Sequence, residues 1–167
     1  MNFSYEDHLV LRVAIGAEKT TVAVEKSYMT YVRASRALHH SDFFTAMDKL
    51  SAELAKRSKK PLTIRIKSVT ITAKKITICY ETDSGAIWAE PTARIVFNRE
   101  TARKDDDEPL EELISSKGLI LSKGEEEALD GFLKEAYEYA YKDKIRQYDE
   151  DSLFSEEVQD DVEQAAF

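Results

Sequence analysis

The chain has few of the residues that usually announce a chemistry. Its 167 residues include one cysteine, Cys79, and three histidines, His8, His39 and His40. A lone thiol excludes an intramolecular disulfide and every multi-cysteine metal site. Cys79 lies in an apolar alternation between Ile78 and Tyr80, where a small buried hydrophobe is the default and nothing nearby in sequence depresses its pKa. His39 and His40 are adjacent, so they project in different directions on a helix or a strand and make poor partners for one metal ion. The five glycines, Gly16, Gly85, Gly118, Gly124 and Gly131, are too far apart to write a dinucleotide fingerprint or a phosphate-cradling P-loop. Gly-Xaa-Ser-Xaa-Gly is missing, and no lysine has an acid two positions before it, the strand spacing of many metal-dependent nucleases. Runs of ~18 apolar residues are absent, and the opening MNFSYEDHLVLRV carries acids where a signal peptide needs bases before an apolar block. The expectation is a soluble, cytoplasmic, non-enzymatic protein, with no catalytic residue, cofactor or metal assigned.

Apolar residues make up 43% of the chain, enough for a packed core, and the length suits one domain. The net charge of −8 is divided unevenly: residues 1–104 hold 18 bases and 11 acids, net +7, and residues 105–167 hold 6 bases and 21 acids, net −15. Such asymmetry points to nucleic-acid contact combined with an acidic tail. Between Glu53 and Glu81 there is no acid and there are eight bases, Lys56, Arg57, Lys59, Lys60, Arg65, Lys67, Lys74 and Lys75. This cluster is a candidate phosphate surface. It also has a bland explanation, since bases favour the last turn of a helix and lysines blunt an edge strand.

The spacing of apolar residues predicts an α+β fold. Leu9, Leu11, Val13 and Ile15 alternate with His8, Val10, Arg12 and Ala14 as in a half-buried strand; Gly16 to Lys19 turns the chain into a second strand, Thr20 to Glu25. Residues 27–40 fit either period, and the reading leans to helix. Phe43, Met47, Leu50 and Leu54 follow helical spacing, with Ser41 as N-cap and an end near Lys60 before Pro61. Leu62, Ile64 and Ile66 return to a period of two, and the phase slips by one at Val69, Ile71 and Ala73, which predicts a bulge near Ser68. Turns at Ala73 to Lys75 and Asp83 to Gly85 complete a meander of about three strands ending in Ile87 to Asn98, where Pro91 argues for an edge or a break. The run KDDDEP opens a short predicted helix, Leu110 to Ser116. A capping box at Ser122 and Glu125 starts the strongest helix, whose stripe is Leu129, Phe132, Leu133, Ala136 and Ala140. Periodicity leaves open whether Tyr137, Tyr139, Tyr141 and Tyr148 bury against the sheet or form a seam between two copies. The predicted architecture is a small antiparallel sheet, an N-terminal hairpin plus the meander, packed by two or three helices in one domain over residues 1–148. Residues 149–167 are predicted to be an acidic, disordered tail.

A basic sheet surface beside aromatic residues survives these exclusions. Arg65 and Lys67 share a strand, Lys74 and Lys75 sit at the adjoining turn, and Tyr80 and Trp88 flank the next hairpin. Single-stranded nucleic acid is bound by such combinations, because cations track phosphates and aromatic faces stack on bases. The tail DEDSLFSEEVQDDVEQAAF resembles the acidic C-terminal tails of bacterial and phage single-stranded DNA-binding proteins, whose acids precede a terminal Phe that docks on partner proteins. The resemblance implies Phe167 as anchor with Asp160, Asp161 and Glu163 as the acids, although Gln164 to Ala166 separate them from Phe167 and the usual proline is missing. A second function class fits the same composition: acids at Glu125, Glu126, Glu127, Asp130, Glu135 and Glu138 could present a phosphate-like face that blocks a basic nucleic-acid enzyme, as small phage inhibitors do. A third, an enzyme, requires a concave pocket with a buried, shifted acid.

Overall fold

The computed structural model describes residues 3–58, 63–82, 92–99, 114–115 and 118–146. Over these residues the chain runs β1 (Ser4–Tyr5), β2 (His8–Ile15), β3 (Thr20–Lys26), β4 (Met29–Ser35), α1 (Ser41–Ala55), β5 (Ile64–Ile71), β6 (Lys75–Thr82), β7 (Thr92–Asn98), β8 (Ile114–Ser115), β9 (Gly118–Leu119) and α2 (Lys123–Tyr141). The described strands form one nine-stranded sheet in the order β4-β3-β2-β5-β6-β7-β9-β8, with β1 beside β2. Every pairing is antiparallel except the single contact of β7 with β9. The two described helices pack on each other, and both lie on one face of the sheet, α1 over β5 and α2 over β2, β3 and β4. An α+β fold with a mostly antiparallel sheet is therefore what the alternating and helical stretches build.

One hydrophobic core fills the space between the layers. From the sheet come Val10, Val13, Val22, Val24, Ile66, Val69, Ile76, Ile78 and Phe97; from the helices come Phe43, Leu50, Leu129, Phe132, Leu133 and Ala136. The helix stripes read from spacing are the buried ones, and Met47 packs at the margin. The bulge expected near Ser68 is present, with the β5–β6 register slipping between Ile66 and Ser68. A second slip, between Val10 and Arg12 in β2, reverses the expected face only in the first half of that strand: Val10 is buried in place of Leu9 and Leu11, while Val13 is buried as the alternation predicts.

Three local expectations are corrected. Residues 29–35 form β4 rather than helix, because Ser27 and Tyr28 take φ of 55° and 65° and close a two-residue hairpin with β3. The N-cap of α1 is His40, whose Nδ1 accepts from the amide of Asp42 at 3.0 Å, and the helix ends at Ala55 rather than near Lys60. Ile114–Ser115 is a short strand paired with Gly118–Leu119, where the sequence predicts helix. The capping box of α2 stands as expected, with Ser122 and Glu125 exchanging hydrogen bonds at 3.1 and 2.9 Å. The predicted tail, residues 149–167, lies outside the described residues. No described helix is long and apolar enough to cross a membrane.

Candidate nucleic-acid interface

Alternation along each strand gives the sheet a second face, turned away from both helices. Its side chains follow from the register. One row across β4, β3, β2, β5, β6 and β7 is Val32, Ala23, Arg12, Thr70, Thr77 and Val96. The next is Ala34, Thr21, Ala14, Ser68, Cys79 and Arg94. Arg65 and Glu81 stand opposite each other in a further row, and Lys75 lies at the other end of the same face of β6. The floor is thus made mostly of alanine, serine and threonine with one half-buried thiol, Val32 and Val96 stand on its outer strands, and arginines rise from it. Small residues leave the backbone of the sheet close to whatever lies across it, while Arg12 and Arg94, three strands and one row apart, are separated by about 16 Å at the usual strand and residue spacings.

Electrostatically this face is positive. Arg12, Arg65, Lys75 and Arg94 project from it and are exposed; Lys67, in the bulge, lies 4.0 Å from Glu81. The acids on the face are Glu25 and Glu81, and Arg65 engages Glu81 at 3.1 Å. Among the described residues no carboxylate pairs with Arg12 or Arg94.

The eight-base cluster does not form one surface. Arg57 belongs to the fold: its guanidinium donates to both carboxylate oxygens of Glu125 at 2.5 and 2.6 Å and to the carbonyl of Ile120 at 2.8 Å. It also lies 5.1 Å over the Phe97 ring. Assigned to nucleic acid from sequence, Arg57 is instead spent on a buried ion pair. Lys56 lies on the helix side of the molecule and pairs with Glu53 at 3.0 Å. Arg65, Lys67 and Lys75 reach the open face, and Lys74 is exposed in the turn at its end. Tyr80 points to the core, opposite Ile66 and packed against buried residues, so its ring does not stand on the basic face. Lys59, Lys60, Trp88, Asp160, Asp161, Glu163 and Phe167 lie outside the described residues. The open face carries no aromatic side chain among the described residues that its register names.

Sequence reasoning missed Arg12 and Arg94. Each is a single base in an apolar strand, and they share a surface only because β2 pairs with β5, a contact between segments more than fifty residues apart. No local pattern signals that pairing.

The acids of α2 are largely occupied. Glu125 holds Arg57, Asp130 accepts from the Tyr5 hydroxyl at 2.5 Å, and Glu135 and Glu138 both engage Lys144. Lys144 also bonds Asp42 at 3.0 Å and holds that carboxyl below the usual carboxylate range. Three of the six acids proposed as a phosphate-like array therefore neutralise cations of the same chain. Tyr137 and Tyr139 are buried in the core, and the Tyr141 hydroxyl donates to the carbonyl of Tyr31 at 3.1 Å, so these rings seal the helix onto the sheet.

A cleft of about 260 Å³ beside the β2–β3 turn holds His39, which accepts or donates a hydrogen bond with the Thr20 hydroxyl at 2.9 Å and stacks on Phe43. Burial, with Arg146 nearby, lowers its pKa to about 4, so the ring is neutral near pH 7. Among the described residues no group of three histidine, cysteine, aspartate or glutamate side chains is placed to hold a metal ion. No protein-family model, no curated protein and no solved structure matches the chain.

Proposed function

We propose that the protein binds single-stranded nucleic acid, without catalysis, on the open face of its sheet. One observation carries this reading: a surface built mostly of small residues on which Arg12 and Arg94 stand without a carboxylate partner among the described residues, flanked by Arg65, Lys67 and Lys75. Unpaired arginines on a surface are available to phosphates, and a floor built mostly of small side chains accepts a strand lying across it. Among the described residues no aromatic ring stands on this face, so the affinity proposed for it rests on phosphate contacts and tolerates any base sequence.

The acidic tail is the second component. With acids at Asp160, Asp161 and Glu163 and an aromatic end at Phe167, it competes with nucleic acid for the basic face or recruits a partner protein. Blocking of a nucleic-acid enzyme by the α2 acids is the weaker reading, because Glu125, Glu135 and Glu138 are already paired.

The test is fluorescence anisotropy of a labelled single-stranded oligonucleotide with the wild-type chain and with Arg12→Glu/Arg94→Glu. Binding should weaken tenfold or more at low salt, and the slope of log K against log salt should become shallower by about 1.4, since each phosphate contact on a single strand contributes ~0.7. Wild-type and variant proteins that bind alike, or a wild-type protein that does not bind at low salt, would remove the open face from consideration.

A further inference from the structure

The sheet ends differently on its two sides. On one side the last described strands, β9 and β8, are two residues each. On the other, β4 runs for seven residues in unbroken register with β3, from Thr20 opposite Ser35 to Lys26 opposite Met29, and no described strand pairs with its far edge. A strand of that length with a free row of amide and carbonyl groups is a template for another strand, and proteins normally blunt it with lysine, proline, a bulge or a covering element. Among the described residues β4 has none of these. Its residues are Met-Thr-Tyr-Val-Arg-Ala-Ser, and its one charge, Arg33, is turned onto α2, 4.8 Å over the Tyr141 ring and 3.4 Å from the carbonyl of Ala140.

Among the described residues the exposed apolar side chains gather at the same place. Of the seven large hydrophobic side chains exposed among the described residues, five are on β4 or flank it: Tyr28, Met29, Tyr31, Val32 and Leu38, with Met29 60% and Val32 62% exposed. A free edge and an apolar patch on one strand mark an interface.

We propose that β4 pairs edge to edge with β4 of a second copy of this chain, antiparallel about a two-fold axis through Val32. The sequence of the strand is complementary to itself in that register. Val32 meets Val32 of the second copy on the open face, and Thr30 meets Ala34 there. On the helix face Tyr31 meets Arg33, a cation beside an aromatic ring, and Met29 meets Ser35. No like charges oppose each other, whereas centring the axis one residue later would set Arg33 against Arg33. The contact is isologous and each copy has one such long edge, so association closes at a dimer. The axis is perpendicular to the sheet, so both helix layers lie on one side and the two open faces become continuous.

Sedimentation equilibrium of the full chain across a concentration series up to about 100 µM, the regime of a small interface, tests this without any nucleic acid. A dimer is expected, and Val32→Lys, which places two lysines together at the axis, should weaken association by about tenfold or more with unchanged far-UV circular dichroism. In a Cys79→Ser background, Val32→Cys should form a disulfide-linked dimer on mild oxidation and Thr30→Cys should not. A wild-type monomer throughout the series, a Val32→Lys protein as dimeric as the wild type, or equal cross-linking at positions 30 and 32 would each overturn the proposal. A monomer that dimerises only after removal of residues 149–167 would overturn it too, by showing the chain's own tail on that edge.

Discussion

Arg57 and Glu125 join the end of α1 to the start of α2. The side chains are 12% and 1% exposed, so both charges have left water, and their attraction must offset that desolvation. Removing one partner leaves the other buried without a counter-charge. Arg57→Ala is therefore expected to lower the free energy of unfolding by about 3–5 kcal/mol, read from the urea midpoint, while Arg57→Met combined with Glu125→Leu should recover most of that loss. A cost below about 1 kcal/mol for the single variant would mean the pair is solvated in solution.

His39 gives the fold a pH dependence. Its pKa falls from 6.5 in the unfolded chain to about 4 in the folded protein, first because burial disfavours the charged ring and second because Arg146 repels it. Between those values the unfolded state binds the extra proton and the folded state does not, so stability is fully present above pH ~6.5 and declines on acidification toward pH ~4. Asp42 contributes in a different window: Lys144 lowers its pKa, and the stability it provides is lost only as the pH falls below the carboxylate range. Thermal melts between pH 7 and 4.5 should show a falling midpoint in the wild type and a flatter profile in His39→Gln. Parallel profiles would assign the acid sensitivity elsewhere.

At the scale of elements, the informative feature is the pair of two-residue hairpins built without glycine. Glu6 and Asp7 join β1 to β2 with φ of 51° and 67°, and Ser27 and Tyr28 join β3 to β4 with φ of 55° and 65°. Left-handed backbone at both central residues matches the twist of the strands, and it normally selects Asn-Gly or Asp-Gly. Tyr28 is 97% exposed, so no packing depends on its ring. Ser27→Asn with Tyr28→Gly should stabilise the protein by about 1 kcal/mol, measured as a shift in denaturation midpoint with unchanged m-value. A destabilised variant would contradict the turn geometry.

This hairpin also explains why β4 was legible only as a helix–strand ambiguity. Ser-Tyr is not a turn signature, and Tyr28, Tyr31, Val32 and Ser35 happen to satisfy helical spacing; hydrogen bonding to β3 decides the outcome. The bulge near Ser68 was legible, because a one-residue slip of an otherwise strict alternation can be read directly from Ile66 and Val69. The bulge in β2 was not, since Leu9, Leu11, Val13 and Ile15 make an unbroken alternation and only the demand that both Val10 and Val13 reach the core displaces it.

At the scale of the molecule, charge is separated along the chain. Residues 149–167 hold eight acids and no base, so their removal takes the net charge from −8 to neutral. If the tail competes for the open face, the truncated chain should bind single-stranded DNA more tightly than the full chain at low salt, and the difference should shrink at about 0.5 M salt, where screening shortens to a few ångströms. Equal affinities at low salt would separate the tail from the basic face.

The sequence by itself determined the class of the fold, the two amphipathic helices and the capping box of α2, because each depends on contacts within a few residues. It also showed that the bases and acids are segregated, because charge is counted without geometry. Tertiary structure decided which of those bases share a surface. Pairing of β2 with β5 brought Arg12 and Arg94 onto one face with Arg65, and the packing of α1 on α2 withdrew Arg57 into a buried pair with Glu125. Both outcomes rest on contacts between residues dozens of positions apart, which leave no local periodicity to read.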